Sequence, residues 1–422
     1  MGRDFDYILF LLIIGLAIIG ILMVFSATYS DEINKFWLKQ IMWFGIGILG
    51  MIGIAFFNYH VLGRYAFLIY IFGILMLILV LMSQEIRHVK SWIRFGDISI
   101  QPSELAKLTT VIMLARYLCN KKERLRKAFF GLILPLLIIG IPMALILKQP
   151  DLGSTLAFLP VALIMLYVAG TNVAHLASAV AIGIITLVLL FIFILAELQN
   201  NYTINPSYLI LSLCELFLII VIIYRILKGL NFRVSFKPIL SIFIILCISC
   251  FSSLFLQRSL ETYQKKRLFV FINPGFDSKE AGYNIIQSKI AIGSGRLFGK
   301  GFLKGSQSQL GFLPEQQTDF IFSVVGEEWG FLGVTALLLL FLSIIYKGFV
   351  ISWEAKDMFG SLLACGITSM FATQVIINIG MATGIIPVVG LPLVLISYGG
   401  SNLVVTMVSL GILLNIKLKR FS

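Results

Sequence analysis

The sequence predicts an all-α protein, a polytopic transmembrane helix bundle of about twelve spans. Three observations carry this. Of 422 residues, 59% are hydrophobic and 13% are charged, whereas a soluble domain carries about 25% charged residues. The mean hydropathy is +0.99, which excludes a solvated globule. Apolar runs of roughly 20 residues, each enough to cross about 30 Å of hydrocarbon, recur along the whole length.

In chain order the runs are Tyr7–Ala27, Phe36–Phe57, Tyr65–Met82, Leu105–Leu118, Phe129–Leu147 and Thr155–Ala169, then Ala174–Leu195, Tyr208–Leu227, Pro238–Leu256, Phe320–Tyr346, Met358–Met381 and Tyr398–Ile416. The first is too long for the apolar core of a signal peptide and only Arg3 precedes it, so it reads as a retained span. The fourth and sixth are short, which tilt or burial against other helices accommodates. No repeat period, low-complexity tract or soluble domain interrupts the series, so residues 1–422 form one integral-membrane domain.

The net charge is +13. No zinc-finger spacing, recognition helix or basic stripe interleaved with aromatics accompanies it, which excludes a nucleic-acid partner. The cations instead fall in short loops. Arg116 at the end of run four leads into Lys121, Lys122, Arg124, Arg126 and Lys127 before run five, Arg225 at the end of run eight leads into Lys228, Arg233 and Lys237 before run nine, and Lys417, Lys419 and Arg420 lie in the tail. With the runs counted as above, all three clusters share one side, which the positive-inside rule makes cytoplasmic. Both termini are then cytoplasmic.

The opposite side receives Ser83–Glu104, the turn Lys148-Gln-Pro-Asp151-Leu-Gly-Ser154, and the long loop 257–318. A loop of that length in a compact protein is usually functional. Within it, Tyr283–Ile292 has the pattern of an interfacial helix.

Charges at membrane depth are costly and mark function. Asp151 and Asp319 each open an apolar run; each suits either a helix N-cap or a carboxylate facing a cavity. Trp92, Glu104 and Lys107 fall at the same interface. Glu327 and Glu328, two turns beyond Asp319, fit the same cavity or a structural pairing, and Glu215 lies mid-run in the eighth. The run Gly293-Ser-Gly295-Arg-Leu-Phe-Gly299-Lys300-Gly301 lacks the Ser or Thr that a P-loop needs after its Lys, leaving a flexible turn or a backbone nest for a lipid phosphate. Glycines and prolines break Met381–Pro392 repeatedly, as a cavity lining or a re-entrant connector would require. The five cysteines sit in or beside apolar runs, and Cys247 and Cys250 have no second pair with which to hold zinc. His60, His88 and His175 are scattered, with no protease or esterase pattern.

Several of these segments together resemble the SEDS family (shape, elongation, division and sporulation). They are Trp92 with Gln101-Pro-Ser-Glu104-Leu-Ala-Lys107; Gln149-Pro-Asp151-Leu-Gly-Ser154; Gly282–Gly295; Gly299-Lys-Gly301; Gln307-Ser-Gln-Leu310; Leu313-Pro-Glu315 to Phe322; Asn378–Met381; and Ser397-Tyr-Gly-Gly-Ser401. They occur in the family's order over most of the chain, and Gln307–Leu310 is more like the elongation members than the division members.

The resemblance implies a peptidoglycan glycosyltransferase polymerising lipid II, with a class B penicillin-binding protein and other elongation-complex membrane proteins as partners. It makes Asp319 the catalytic carboxylate and Trp92, Glu104, Lys107 and Asp151 functional positions. The chemistry then needs cations for a pyrophosphate leaving group; Arg267, Lys289, Lys300 and Lys304 are candidates, as is a divalent ion, magnesium or manganese. A lipid II flippase and a non-catalytic scaffold are the rival readings. The family's usual pattern has ten spans, so residues 201–256 are expected to hold an additional helix pair.

Overall fold

The computed structural model describes residues 5–29, 35–82, 91–95, 98–120, 129–200, 213–215, 217–222, 224–225, 236–272 and 281–420. His88, the cations 121–127, Lys228, Arg233 and part of the expected eighth span lie outside them. The chain forms two compact units, residues 172–273 and the remainder.

In the larger unit the helices are α1 (Tyr7–Ala27), α2 (Phe36–Phe56), the short α3 (Tyr59–Arg64), α4 (Ala66–Leu81) and α5 (Pro102–Asn120). A 3₁₀ turn at Phe129–Leu132 leads into α6 (Ile133–Leu147), followed by α7 (Leu152–Val168). The smaller unit contributes α8 (Val173–Asn200), described helical residues between 213 and 225, α9 (Phe236–Ser259) and α10 (Thr262–Ile272). The larger unit resumes with α11 (Ala281–Ser294), α12 (Ser306–Gln309), α13 (Ile321–Glu354), α14 (Met358–Ala382) and α15 (Gly400–Leu418). Among the described residues, seven helices are long and apolar enough to cross a membrane, and shorter apolar ones accompany them.

Two departures from the sequence expectation bear on function. The stretch beyond Gln257 holds more helix than expected: besides α11, which covers the helix read at Tyr283–Ile292, α10 and α12 lie within it. Beside Trp92 the chain makes a short antiparallel hairpin, β1 (Ile93–Phe95) with β2 (Ile98–Ile100), Arg94 opposite Ser99.

The centre of the larger unit is α14, buried along most of its length between α5, α7, α13 and α15. Small residues allow the approach: a Cβ at Gly366 would stand 2.5 Å from Val111 and 2.7 Å from Met165 Sδ. Such small-residue contacts are how helices associate where lipid offers no hydrophobic driving force. Between α14 and α15 the chain runs irregularly from Thr383 to Gly399. It is covered by protein, resting on Gly20 of α1 and on Gly153 of α7, where an added Cβ would lie 2.7 Å from Val389 O. Non-helical backbone at this depth needs that cover.

Helix α13 is broken at Gly330 (φ 64°, ψ −164°). The backbone groups freed by the break are taken up by the glycine-rich run. The amides of Lys300 and Gly301 donate to the carbonyls of Glu327 and Glu328 (3.0 and 2.9 Å), and those of Phe331 and Leu332 donate to the carbonyls of Arg296 and Leu297 (2.8 and 3.1 Å). The run therefore replaces lost helical hydrogen bonds, and the amides of Lys300 and Gly301 are spent on backbone rather than on a phosphate.

Candidate active site

Helix α5 begins at the hairpin and carries the charged centre of the larger unit. Glu104 and Lys107, one turn apart, form an ion pair of 2.9 Å with both side chains 3% exposed. A buried pair survives only if its remaining lone pairs and protons are met. Asn402 Nδ2 of α15 donates to Glu104 Oε2 at 3.0 Å, and Gln374 Nε2 of α14 approaches the same oxygen at 3.5 Å. Removing one charge strands the other. Lys107→Met is expected to cost about 3–5 kcal/mol, and Glu104→Gln combined with Lys107→Met to recover part of it. Thermal unfolding in detergent reads both; an unchanged midpoint for Lys107→Met contradicts the argument.

Asp151 caps α7, accepting from Ser154 N–H at 3.0 Å. Its other oxygen accepts from Gln101 Nε2 at 3.1 Å and from Ser103 Oγ at 3.4 Å. Burial pushes its carboxyl above the usual range, opposed by the Ser154 hydrogen bond and by Lys107. Of the two readings the sequence offered for Asp151, the cap is present, and the same carboxylate holds the start of α7 against the start of α5. Trp92 is half-buried, and its neighbour Ser91 donates to the Gln149 carbonyl at 3.5 Å, tying that strand to the turn before Asp151.

Asp319 lies in the turn before α13 and is half-buried. The helix is capped from Phe320, whose side chain accepts nothing, so Asp319 is not its N-cap. Its backbone is clamped: Asn378 Nδ2 donates to Asp319 O at 2.9 Å and to Leu391 O at 2.7 Å. Ser397 Oγ donates to Thr318 O, and Tyr398 N–H to Gln317 O at 2.8 Å. The irregular segment thus fixes the Asp319 turn on one side. On the other, Ser401 Oγ accepts from Gln101 N–H at 3.2 Å, while Asn402 meets Glu104. One continuous stretch of chain, residues 391–402, joins Asp319 to the Glu104, Lys107 and Asp151 network.

Of the cations, Lys289 on α11 extends over Gly384, at the head of the irregular segment, where an added Cβ would stand 2.7 Å from its Nζ. Lys300 is engaged by Glu327 Oε1 at 2.7 Å and by Ser306 Oγ at 2.6 Å. Arg267 lies on α10 of the smaller unit. Glu327 and Glu328 take the structural role. Glu327 accepts from the amides of Gln307 and Ser308 (2.9 and 3.0 Å), and Glu328 accepts from Ser26 of α1 at 2.5 Å. Glu215 is exposed. Sequence reasoning gave no task to Gln374, Asn378 or Asn402; amides inside otherwise apolar helices are the signal that finds them.

Fold and site together define a polytopic membrane protein with a buried ionic network beside a broken connector and one partly accessible carboxylate. The chain belongs to the FtsW/RodA/SpoVE family of cell cycle proteins, whose model matches residues 6–205 and 210–421. It is 37% identical over 433 residues to the peptidoglycan glycosyltransferase RodA of Treponema pallidum, covering 99% of this chain and 98% of that protein. It is 33% identical to the stage V sporulation protein E of Bacillus subtilis, covering 97% and 96%. Among solved structures it resembles a chain from work on the coordination of polymerization and crosslinking by a peptidoglycan synthase complex (TM-score 0.68, 25% identity, 100% and 99% covered). It shares its fold with the rod shape determining protein RodA of Thermus thermophilus (TM-score 0.63, 23% identity, 100% and 99% covered).

Proposed function

We propose that this chain is a peptidoglycan glycosyltransferase that polymerises lipid II into glycan strands during cell-wall elongation. The observation that carries the reading is the clamped Asp319 turn, joined by residues 391–402 to a buried network of Glu104, Lys107 and Asp151. Full-length relatives named as peptidoglycan glycosyltransferases support the reaction, and the identity to a RodA supports the elongation role.

A sugar hydroxyl of one lipid-linked unit attacks the anomeric carbon of another. The new C–O bond forms as the bond to polyprenyl pyrophosphate breaks, inverting the centre, and Asp319 takes the hydroxyl proton as general base. Pyrophosphate leaves without a protonating carboxylate, but its growing charge needs cations in a partly desolvated site. Lys289 is the better placed, since Lys300 is already held by Glu327. Trp92 offers a face for a sugar ring, and Asp151 sets the start of α7. Among the described residues no three His, Cys, Asp or Glu side chains cluster for a metal. If a magnesium or manganese ion binds, Asp319 would hold it, and the ion would supply charge neutralisation for the leaving pyrophosphate.

The site faces outward, with both termini cytoplasmic, a placement supported by the basic tail Lys417, Lys419 and Arg420. A class B penicillin-binding protein crosslinks the strands, supported by the synthase complex from which the similar chain comes. Purified full-length protein in proteoliposomes with fluorescent lipid II should give a ladder of glycan polymer on a gel. Relocation of lipid II across the bilayer without a ladder would make the chain a flippase instead; neither result would leave a scaffold.

A further inference from the structure

A second polar site lies away from the Asp319 turn. The N-terminal end of α1, the C-terminal part of α13 and the end of α15 enclose a cavity of about 370 Å³. Its apolar wall is Ile8, Leu12, Val350 and Ile351, and its polar end is Asp6, Lys347 and Lys417. Lys347 Nζ contacts both oxygens of Asp6 at 2.9 Å, so that pair is neutral, and Asp6 is further occupied by the amide of Leu9. The second carboxylate is shared. Lys417 Nζ and Arg420 Nη1 both reach Glu354 Oε2, at 2.6 and 2.8 Å. Among the described residues, therefore, three cations (Lys347, Lys417 and Arg420) meet two carboxylates (Asp6 and Glu354), a surplus of one positive charge. The depth is marked by exposed aromatics: Tyr7 is 56%, Tyr346 71% and Trp353 92% exposed. Amphipathic rings of this kind gather at the membrane–water boundary.

We propose that this groove binds an anionic glycerophospholipid, such as phosphatidylglycerol, at the end of the bundle where α1 begins and α15 ends. The phosphate sits against Lys417 and Lys347, whose ammonium groups each have donors beyond those given to a carboxylate. An acyl chain lies along Ile8, Leu12 and Val350, with Tyr346 at the headgroup level. The residual positive charge selects an anionic headgroup over a zwitterionic one, since each basic group near the surface contributes about 1 kcal/mol toward anionic lipid.

The test is lipid binding by full-length, delipidated protein, measured by native mass spectrometry with phosphatidylglycerol and with phosphatidylcholine. Wild type should prefer phosphatidylglycerol. Lys417→Gln should weaken its binding about fivefold, and Lys347→Gln with Lys417→Gln about thirtyfold, while Lys39→Gln on α2 leaves it unchanged. Ser343 also lines the groove, and Ser343→Trp, which fills it without altering its charge, should also abolish binding; it decides the matter if the double variant fails to fold. Equal affinity of wild type for the two lipids, or wild-type phosphatidylglycerol affinity in Ser343→Trp, overturns the proposal. Free inorganic phosphate should not compete at equal concentration; competition would mean an anion site without lipid and would equally overturn it.

Discussion

Replacing Asp319 by Ala should reduce lipid II polymerisation by about 10²–10⁴-fold, the range that a positioned general base contributes, while leaving the main-chain clamp on its turn in place. The structure separates the two. The turn is fixed through its main chain, by Asn378 on Asp319 O, Ser397 on Thr318 O and Tyr398 on Gln317 O. None of those bonds involves the carboxylate, and α13 is capped from Phe320 without side-chain help. Asp151→Ala behaves differently, because its carboxylate caps α7 and accepts from Gln101 and Ser103; losing a cap alone costs about 1 kcal/mol. Asp319→Asn keeps the shape without the base and should be as inactive as Asp319→Ala. The comparison is of initial rates of polymer formation beside unfolding midpoints. Retained polymerisation by Asp319→Asn would remove the base role, and a collapsed midpoint would make the residue structural.

A large stability effect is expected at Gly330. Its φ and ψ, 64° and −164°, lie where only glycine is at ease. A Cβ there would also stand 2.8 Å from both Leu297 O and the Phe298 carbonyl carbon. Gly330→Ala should therefore cost more than the roughly 1–3 kcal/mol of backbone strain alone, because the run 296–301 must withdraw. Hydrogen exchange at Lys300, Gly301, Phe331 and Leu332 should then accelerate together, since all four amides bond across the break. Gly311→Ala is the control: its φ is also positive, at 71°, but nothing lies within 4 Å of an added Cβ. Equal effects at the two positions would mean that strain alone, and not the clamp, accounts for Gly330.

The membrane class and most helices were legible because apolar length is written locally in the chain. The first run was read as Tyr7–Ala27, and α1 has those bounds. The break in α13 was not legible. An isolated glycine is tolerated inside a helical pattern, and what makes Gly330 a break is a partner strand of backbone some 30 residues earlier. The glycine-rich run at 293–301 posed the converse problem: its positive-φ glycines were visible as a turn, but the carbonyls it serves lie in Glu327 and Glu328. Acidic residues in the site drew notice because charge is expensive in lipid. The amides of Gln374, Asn378 and Asn402 did not, because each derives its role from what faces it in three dimensions.

The Glu104 and Lys107 pair has a consequence for biogenesis. Helix α5 is synthesised some 250 residues before α14 and longer still before α15, so it enters the bilayer while Gln374 and Asn402 do not yet exist. Were its acid neutralised from another helix, the nascent segment would hold a lone ion in hydrocarbon. Because the two charges sit one turn apart on the same helix, α5 carries its own counter-ion and partitions as a neutral dipolar unit; the late helices only trim what is already balanced.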